Sequence, residues 1–566
     1  MSKASLELGG GNWAAKDGNL LGYAVGDTSG KYLPREFTFS RGADIAATRV
    51  NKDGLIEKYR ENLLTYSNQF DTTWSSSNTT ETGGQAGYDG TNDAWLLEKS
   101  ASSAFLWRSF SGSGVYSLSL YAKAGTLNSV FVLIVASGGN GNGYFNLSTG
   151  TVGTFGNNAF DAQIEDVGNG WYRCSLIGNY TNISQVRIYP ANGESLTDTS
   201  GNIYIQDAQL ERGLVATDYI ETDSSTASAG VLDDLPRIDY TGGSASLLLE
   251  PQRTNICTNS EDVSNWSLTF ATVTPNDTIS PEGVQNAAKI VTSNLACDVK
   301  LTSIPVSPST TYTATFYCKL TSGSGLQTRF YDNTNGANIE YYDYSSQLVV
   351  GEWKRVTRTF TTPAGCNNIQ IWFLAASSSA SVTAHYWGYQ LEEGSYPTSY
   401  IPTYGVSATR EEDNMDTTFS SPLSTDGGVS VLYYIKGTDK KSGISANARY
   451  LNFATDSGLT TPYIAYNRTD EEHRVRVYDG TVSTYSKAEV DIENDVKIVV
   501  VAEGDTHKVF SNGVLRYTRT TNSIDWSSIT DFVHTSNDDI GVIDVKQALL
   551  FPTALTDAEC IALTTL

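Results

Sequence analysis

The sequence predicts an all-β protein of tandem β-sandwiches. Three observations lead there: a turn- and aromatic-rich composition, an internal duplication, and apolar residues alternating at the period of a strand. With 50 Gly, 33 Tyr, 19 Phe and 10 Trp against two Met and 18% charged residues, the chain is poor in helix formers and rich in residues that suit pleated surfaces. Its 566 residues give room for roughly four domains of about 150 residues, so its cores need no disulfide or metal. A hydrophobic content of 39% is enough to offset chain entropy, which argues against extended disorder. Lys and Arg number 38 against 62 Asp and Glu, a formal charge of −24 that disfavours nucleic acid as a partner. No apolar run follows Met1-Ser2-Lys3-Ala4 and none spans a bilayer, so neither a signal peptide nor membrane insertion is expected.

The duplication organises everything else. Gln209-Leu210-Glu211-Arg212-Gly213 with Thr217-Asp218-Tyr219-Ile220 returns as Gln390-Leu391-Glu392-Glu393-Gly394 with Thr398-Ser399-Tyr400-Ile401, each matched pair 181 positions apart. Upstream, Asn62-Leu63-Leu64 before Trp74 answers Asn255-Ile256 before Trp266, and Gly170-Trp171-Tyr172-Arg173 answers Glu352-Trp353-Lys354-Arg355. Taken in order, residues 1–59 form a turn-rich N-terminal arm and linker with no evident core, expected to dock on another body. Residues 60–222 are the first sandwich module: Val115–Tyr121 alternates Tyr and Leu with Ser, and Val130–Val135 is continuously apolar. Residues 223–254 are a connector bearing Arg237, and 255–403 are the second module. Arg410 follows it, and Ala47-Thr48-Arg49 stands in the same relation ahead of the first. Residues 404–566 read as another sandwich, with a type I′ turn at Asn512-Gly513. A capping box, Thr556 to Glu559, starts a short terminal helix, with Leu555 and Cys560 as a hydrophobic staple.

These residues resemble the carbohydrate-binding-module-like jelly rolls of tail fibres and other minor virion proteins of tailed bacteriophages. The resemblance covers roughly residues 45–410, including Arg237-Ile238-Asp239-Tyr240 and Leu247–Asn255 as a connector. The last part is similar to concanavalin A-like or laminin-G-like domains, whose usual ending matches Phe551 to Leu563. The resemblance implies a structural protein of the virion, assembled in the host cytoplasm, attached to other virion proteins by its N-terminal arm and serving host attachment by binding surface polysaccharide. A decoration protein of head or tail making only protein contacts is the alternative. Fibres of this kind are often trimers, but the chain shows no heptads.

Chemistry is sparse. Glu489-Val490-Asp491-Ile492-Glu493 has the spacing that places carboxylates on one face of a strand in glucanases of the concanavalin A-like fold, so a depolymerase is a further alternative. Yet no Trp lies between residues 388 and 525, and the acids lead straight into the apolar strand at 496, so they read as its polar lead-in. The four histidines are scattered, and neither a nucleophile elbow nor a phosphate loop occurs, so no catalytic residue is assigned. Cysteines 174, 257, 297, 318, 366 and 560 read as small buried hydrophobes, with one bridge among the middle four left open. Carbohydrate binding needs aromatic faces with amides and carboxylates beside them. Tyr88 and Trp95 in the first module, and Tyr331, Asn333, Tyr341 and Tyr344 in the second, are the candidates; Trp171 and Trp353 read as structural. No cofactor is expected. The loops 89–93 and 332–336 carry oxygen ligands of the kind Ca²⁺ uses, though turn residues explain them equally.

Overall fold

The structure, a computed structural model, describes residues 4, 6–10, 14–16, 19–25, 32–42, 46–263, 266–292, 298–324, 326–375, 381–418, 427–437, 449–455, 463–468, 472–481, 483–491, 493–520, 522, 524–534 and 541–566. These residues form antiparallel sheets packed as sandwiches, with one α-helix, Asp557–Thr564. No helix among them is long and apolar enough to cross a membrane.

The second module is two five-stranded sheets. One runs Ser267–Thr269, Asp298–Pro305, Asn368–Ala375, Leu326–Asp332, Ala337–Asp343. The other runs Ala271–Ile279, Gln285–Thr292, Val382–Glu393, Thr311–Ser322, Lys354–Thr361. Phe316, Phe330, Tyr344, Phe373, Tyr386 and Tyr389 fill the space between. In the first module hydrogen bonding runs through ten strands, because the long strands Phe105–Ala124 and Trp171–Ala191 serve both layers, with register breaks at Ser109, Gly112 and Gly114.

The duplicated Gln-Leu-Glu motif is a latch. Gln209 donates to Glu211 at 2.8 Å and accepts from the Ile220 amide at 2.8 Å, while Glu211 accepts from the Thr217 amide at 2.8 Å. Gln390, Glu392, Thr398 and Ile401 repeat this network at 2.8, 2.7 and 2.8 Å. Asn62 and Asn255 make the matching bonds on the entering strand: each side-chain amide donates to two carbonyls and accepts from two backbone amides. The motif recurs because buried backbone at each module's exit must be satisfied by side chains where no strand is available.

The opening segment departs from the expected arm. Leu6–Gly9 pairs with Ile543–Phe551, and Tyr32–Ser40 pairs with Asn19–Val25 along its first part and with Asn414–Thr418 along its last, so it joins the two sheets of the C-terminal body. Leu6, Leu8, Phe37 and Phe39 are buried in that core beside Val431, Tyr433, Ile498 and Phe532. The physical reason is that four alternating apolar residues cannot make a core alone but cover an open one. The connector joins as well, Leu247 and Leu249 entering the same core through pairing with Val545 and Ile543. At the far end the Asn512-Gly513 turn has φ of 46° and 75°, the Thr556–Glu559 capping box is formed, and Leu555 and Cys560 share one cluster.

The bodies meet at a buried ionic hub. Asp413 pairs with Arg41 at 3.1 Å and with Arg237, and Glu250 pairs with Arg237 at 2.6 Å and Arg410 at 2.9 Å, every side chain at most 1% exposed. Arg49, which stands ahead of the first module as a linker arginine like Arg237 and Arg410, pairs with half-buried Glu57 at 2.8 Å, and the buried position belongs to Arg41. Burial pushes the Glu250 carboxyl upward, but the Arg410 and Arg237 guanidiniums outweigh it and hold the group down at about 2. A second clamp joins Lys58 of the strap Ile56–Asn62 to Glu261 at 3.0 Å and Glu282 at 2.7 Å in the second module. Beside the hub lies a cavity of about 400 Å³ whose wall includes Asp239, Leu248, Tyr317 and Asp544. Burial, with Asp239 and Glu250 nearby, pushes the Asp544 carboxyl up to about 7.

Cys174, Cys257, Cys318, Cys366 and Cys560 are buried thiols without a bridge; Cys297 lies outside the described residues.

Asp413→Asn leaves two buried guanidiniums short of a counter-charge and is expected to cost about 3–5 kcal/mol in denaturant unfolding at neutral pH; an unchanged midpoint would show the hub to be dispensable. The Asp544 shift has a defined sign. Between the ordinary carboxylate range and about 7 the folded chain keeps a proton that the unfolded chain has released, so this group's contribution to stability is lost as pH rises through that window. Asp544→Asn is therefore expected to raise the thermal midpoint above pH 7 and to leave it nearly unchanged below pH 4, read by melts across pH.

Candidate carbohydrate-binding face

Along Leu326–Asp332 the buried residues are Leu326, Thr328, Phe330 and Asp332, so Gln327, Arg329 and Tyr331 point away from the core. The same alternation turns Gln370 and Trp372 outward on the neighbouring strand. Register then aligns them. Lys300 stands opposite Trp372, Trp372 opposite Arg329, and Arg329 opposite Tyr341, a ladder of flat and cationic groups across four strands.

The ladder is tightly coupled. The Lys300 ammonium and the Arg329 guanidinium approach the Trp372 ring from the two flanking strands, each 4.2 Å from its centroid. Arg329 also lies 4.6 Å from the Tyr331 ring and 5.4 Å from that of Tyr341, which is 49% exposed. A relay of amides fixes the indole: Trp372 Nε1 donates to Gln370 Oε1 at 2.8 Å, Gln370 Nε2 to Asn333 Oδ1 at 2.9 Å, and Asn333 Nδ2 to Asn368 Oδ1 at 3.3 Å. Arg329 Nε donates to Asn338 at 2.5 Å.

The first module carries the same ladder in other residues. Phe131 stands opposite Tyr189 and Tyr144, and Phe105, one residue beyond the Leu106–Ile188 pair, packs on Tyr189 with centroids 4.9 Å apart. Phe105, Tyr189, Phe131 and Tyr144 thus stand where the second module has Lys300, Trp372, Arg329 and Tyr341. This copy is closed. Phe131 is 9% and Tyr189 5% exposed, and Leu196 packs against the group.

Three of the six candidates read from the sequence meet at the open face: Tyr331 and Tyr341 on the ladder, and Asn333 in the relay that positions Trp372. Tyr344 is a correction. It is fully buried between the sheets, its hydroxyl 3.0 Å from that of Tyr386, because the strand ends at Asp343 and the chain turns inward. Tyr88 and Trp95 lie elsewhere. Tyr88 stacks on Tyr121 at 3.7 Å, edges onto Trp171 and donates to Asp207 at 3.0 Å. Trp95 lies across Gly83, where any Cβ would come within 3.2 Å of the ring, and donates to the Asn68 carbonyl at 2.8 Å. Trp171 is buried, whereas Trp353 is half-buried and donates to the Ile279 carbonyl at 3.1 Å. Lys300, Arg329 and Trp372, and the aromatic quartet of the first module, escaped the sequence reading. Alternation in each strand was a usable signal, but the register joining the strands was not.

The other expectations resolve locally. Asp332 accepts from the Thr334 and Asn335 amides at 2.9 Å each, and Asp89 from the Thr91 amide at 3.1 Å, so both loops use their carboxylates to close turns. No cluster of three metal-ligating side chains occurs among the described residues. Glu489 and Glu493 do not share a strand face: the strands end at Lys487 and resume at Val496, Glu489 has φ of 52° and accepts from Tyr517 at 3.1 Å, and Asn494 closes a turn onto Asp491. A hollow of about 690 Å³ at the linker end of the second module, lined by Gln252, Arg253, Tyr312 and Glu393 among others, contains none of the ladder residues.

Residues 260–379 match the model of a family described as carbohydrate binding domain, and Lys300, Arg329, Tyr331, Tyr341 and Trp372 all lie inside that stretch. No curated protein matches the chain. Solved structures similar to it include domain 4 of AbnA, an extracellular arabinanase from Geobacillus stearothermophilus, in complex with arabinotriose: 13% identity over 27% of this chain and 73% of that one, TM-score 0.21. Others are the tandem CBM22-1-CBM22-2 domains of Paenibacillus barcinonensis Xyn10C, at 11% identity over 62% and 98% with a TM-score of 0.21, and the LG1-3 region of the laminin alpha2 chain, at 10% over 80% and 96% with a TM-score of 0.17.

The two copies of the ladder are expected to respond differently to truncation. Tyr189→Ala removes a buried ring and is expected to cost about 3–5 kcal/mol, whereas Tyr341→Ala is expected to stay within about 0.5 kcal/mol. Paired thermal or denaturant melts read the contrast, and equal losses would contradict the open-and-closed description.

Proposed function

We propose that the chain is a non-covalent glycan-binding protein of the tailed-phage virion surface, and that it contacts host polysaccharide through the outer face of its second module. The observation that carries the glycan reading is the register-aligned ladder of Trp372, Arg329 and Tyr341, held rigid by amide relays and lying inside the stretch that matches a carbohydrate binding domain. Preorganised aromatic groups beside hydrogen-bonding side chains suit sugar rings, because little side-chain freedom is lost on binding. The virion reading rests on the likeness of the tandem modules and the C-terminal ending to phage appendage proteins. Attachment to the particle falls to the surface of the folded bodies, since the described strands of the opening segment are built into the C-terminal sandwich.

Tyr341→Ala is expected to weaken binding of the full chain to surface polysaccharide from host cells about tenfold or more, as for a truncated aromatic hot spot of roughly 2 kcal/mol. Binding is measured by affinity electrophoresis alongside a melt that verifies folding. Full-strength binding by the variant would move the site elsewhere, and an absence of binding by the parent chain across a panel of bacterial polysaccharides would favour a decoration protein with protein contacts only.

A further inference from the structure

We infer that the ladder of the second module selects an acidic glycan, one whose sugar rings carry carboxylates, an inference that rests on the glycan-binding reading of the same face. The comparison of the two copies carries it. Phe105 and Phe131 of the closed ladder are replaced by Lys300 and Arg329 in the open one, and Arg187, which lies 4.6 Å from the Phe105 ring in the first module, gives way to Gln370. The open copy thus carries two positive charges in line with Trp372 in place of one beside an aromatic row. They flank Trp372 from the strands on either side, each 4.2 Å from its centroid, so the indole faces are turned to cations and Tyr341 keeps the open ring. A neutral sugar needs bare aromatic faces, whereas this stack presents a guanidinium between its rings and an ammonium at its end.

Arg329 is placed to read an anion. Among the described residues only its Nε is engaged by a hydrogen bond, to Asn338 at 2.5 Å, and no carboxylate pairs with it. The nearby acids are occupied. Glu340 is bound by Arg358, Asp332 by the Thr334 and Asn335 amides, and Asp343 by the Ser345 amide at 2.8 Å. The two terminal nitrogens of a guanidinium form a planar fork that matches a carboxylate in a way an ammonium does not. Trp372 and Tyr331 hold that fork, so little freedom is lost when an anion docks. In a chain of net charge −24, such a site gives local selectivity against a repulsive background.

The test uses the full chain with polygalacturonate, alginate and hyaluronate, each beside its carboxyl-reduced neutral form, in affinity electrophoresis or calorimetry. At least one acidic polymer is expected to bind tenfold or more tightly than its reduced partner. Arg329→Gln is expected to erase most of that difference and Arg329→Lys to restore part of it, with unchanged melting of both variants. Equal binding of acidic and reduced polymers, unaffected by Arg329→Gln, would overturn the acidic selectivity while leaving the glycan reading standing. Failure of every polymer, acidic or neutral, would overturn both.

Discussion

Everything in this architecture converges on two buried carboxylates. Glu250 and Asp413 receive Arg41 from the opening segment, Arg237 from the connector and Arg410 from the strand after the second module, and Ser399 of that module's exit loop donates to Glu250 through both its amide and its hydroxyl. Charges removed from water this completely are costly unless every lone pair and proton finds a partner. The hub meets that condition for its two carboxylates, while the Nε–H groups of Arg237 and Arg410 are buried without a hydrogen bond among the described residues. The members come together in one arrangement of the chain, because they arrive from segments distant in sequence. Hydrophobic burial stabilises each body and also holds the linkers, through Leu247 and Leu249 in the C-terminal core and Ile56 beside Trp387 and Tyr400, while the ion pairs join the same segments at one point. The Lys58 clamp on Glu261 and Glu282 applies the same constraint once more, where the strap meets the second module.

The parts of the fold legible in the sequence were those whose physics is local or duplicated. Gln209-Leu210-Glu211 and Gln390-Leu391-Glu392 stood out because the side chains of the motif bond to backbone only a few residues ahead, so the whole unit sits in one stretch of chain. The Asn512-Gly513 turn and the Thr556 cap are local in the same sense. What escaped depended on distant partners. Leu6 and Phe37 look like fragments of a linker until the C-terminal strands cover them, and Arg49 and Arg41 are indistinguishable as linker arginines until burial chooses between them.

The candidate site shows the same division. Tyr331 and Tyr341 were visible as aromatics in a polar loop region, but Tyr344 shares that stretch and falls on the opposite side of the boundary between solvent and core. Lys300, Arg329 and Trp372 occupy three strands, and only the register makes them neighbours. The first module keeps that register and fills it with Phe105, Tyr189, Phe131 and Tyr144, which cover one another and are capped by Leu196. One geometry thus supports two outcomes: four aromatic residues in line, with Arg187 over Phe105, pack into a covered surface, whereas Lys300 and Arg329 in two of those places leave Tyr341 open to solvent.

The pairing of Leu8 with Ala548 has a consequence for the order in which the molecule is made. On a ribosome both duplicated modules emerge in full, latches included, long before the strand that receives the opening segment exists. The opening segment must wait, with Leu6 and Phe37 uncovered, until Ile543–Phe551 has been synthesised. Closure of the final sandwich is then a pairing of far longer range than those within either module, and the nascent chain is most prone to aggregate in the interval before it.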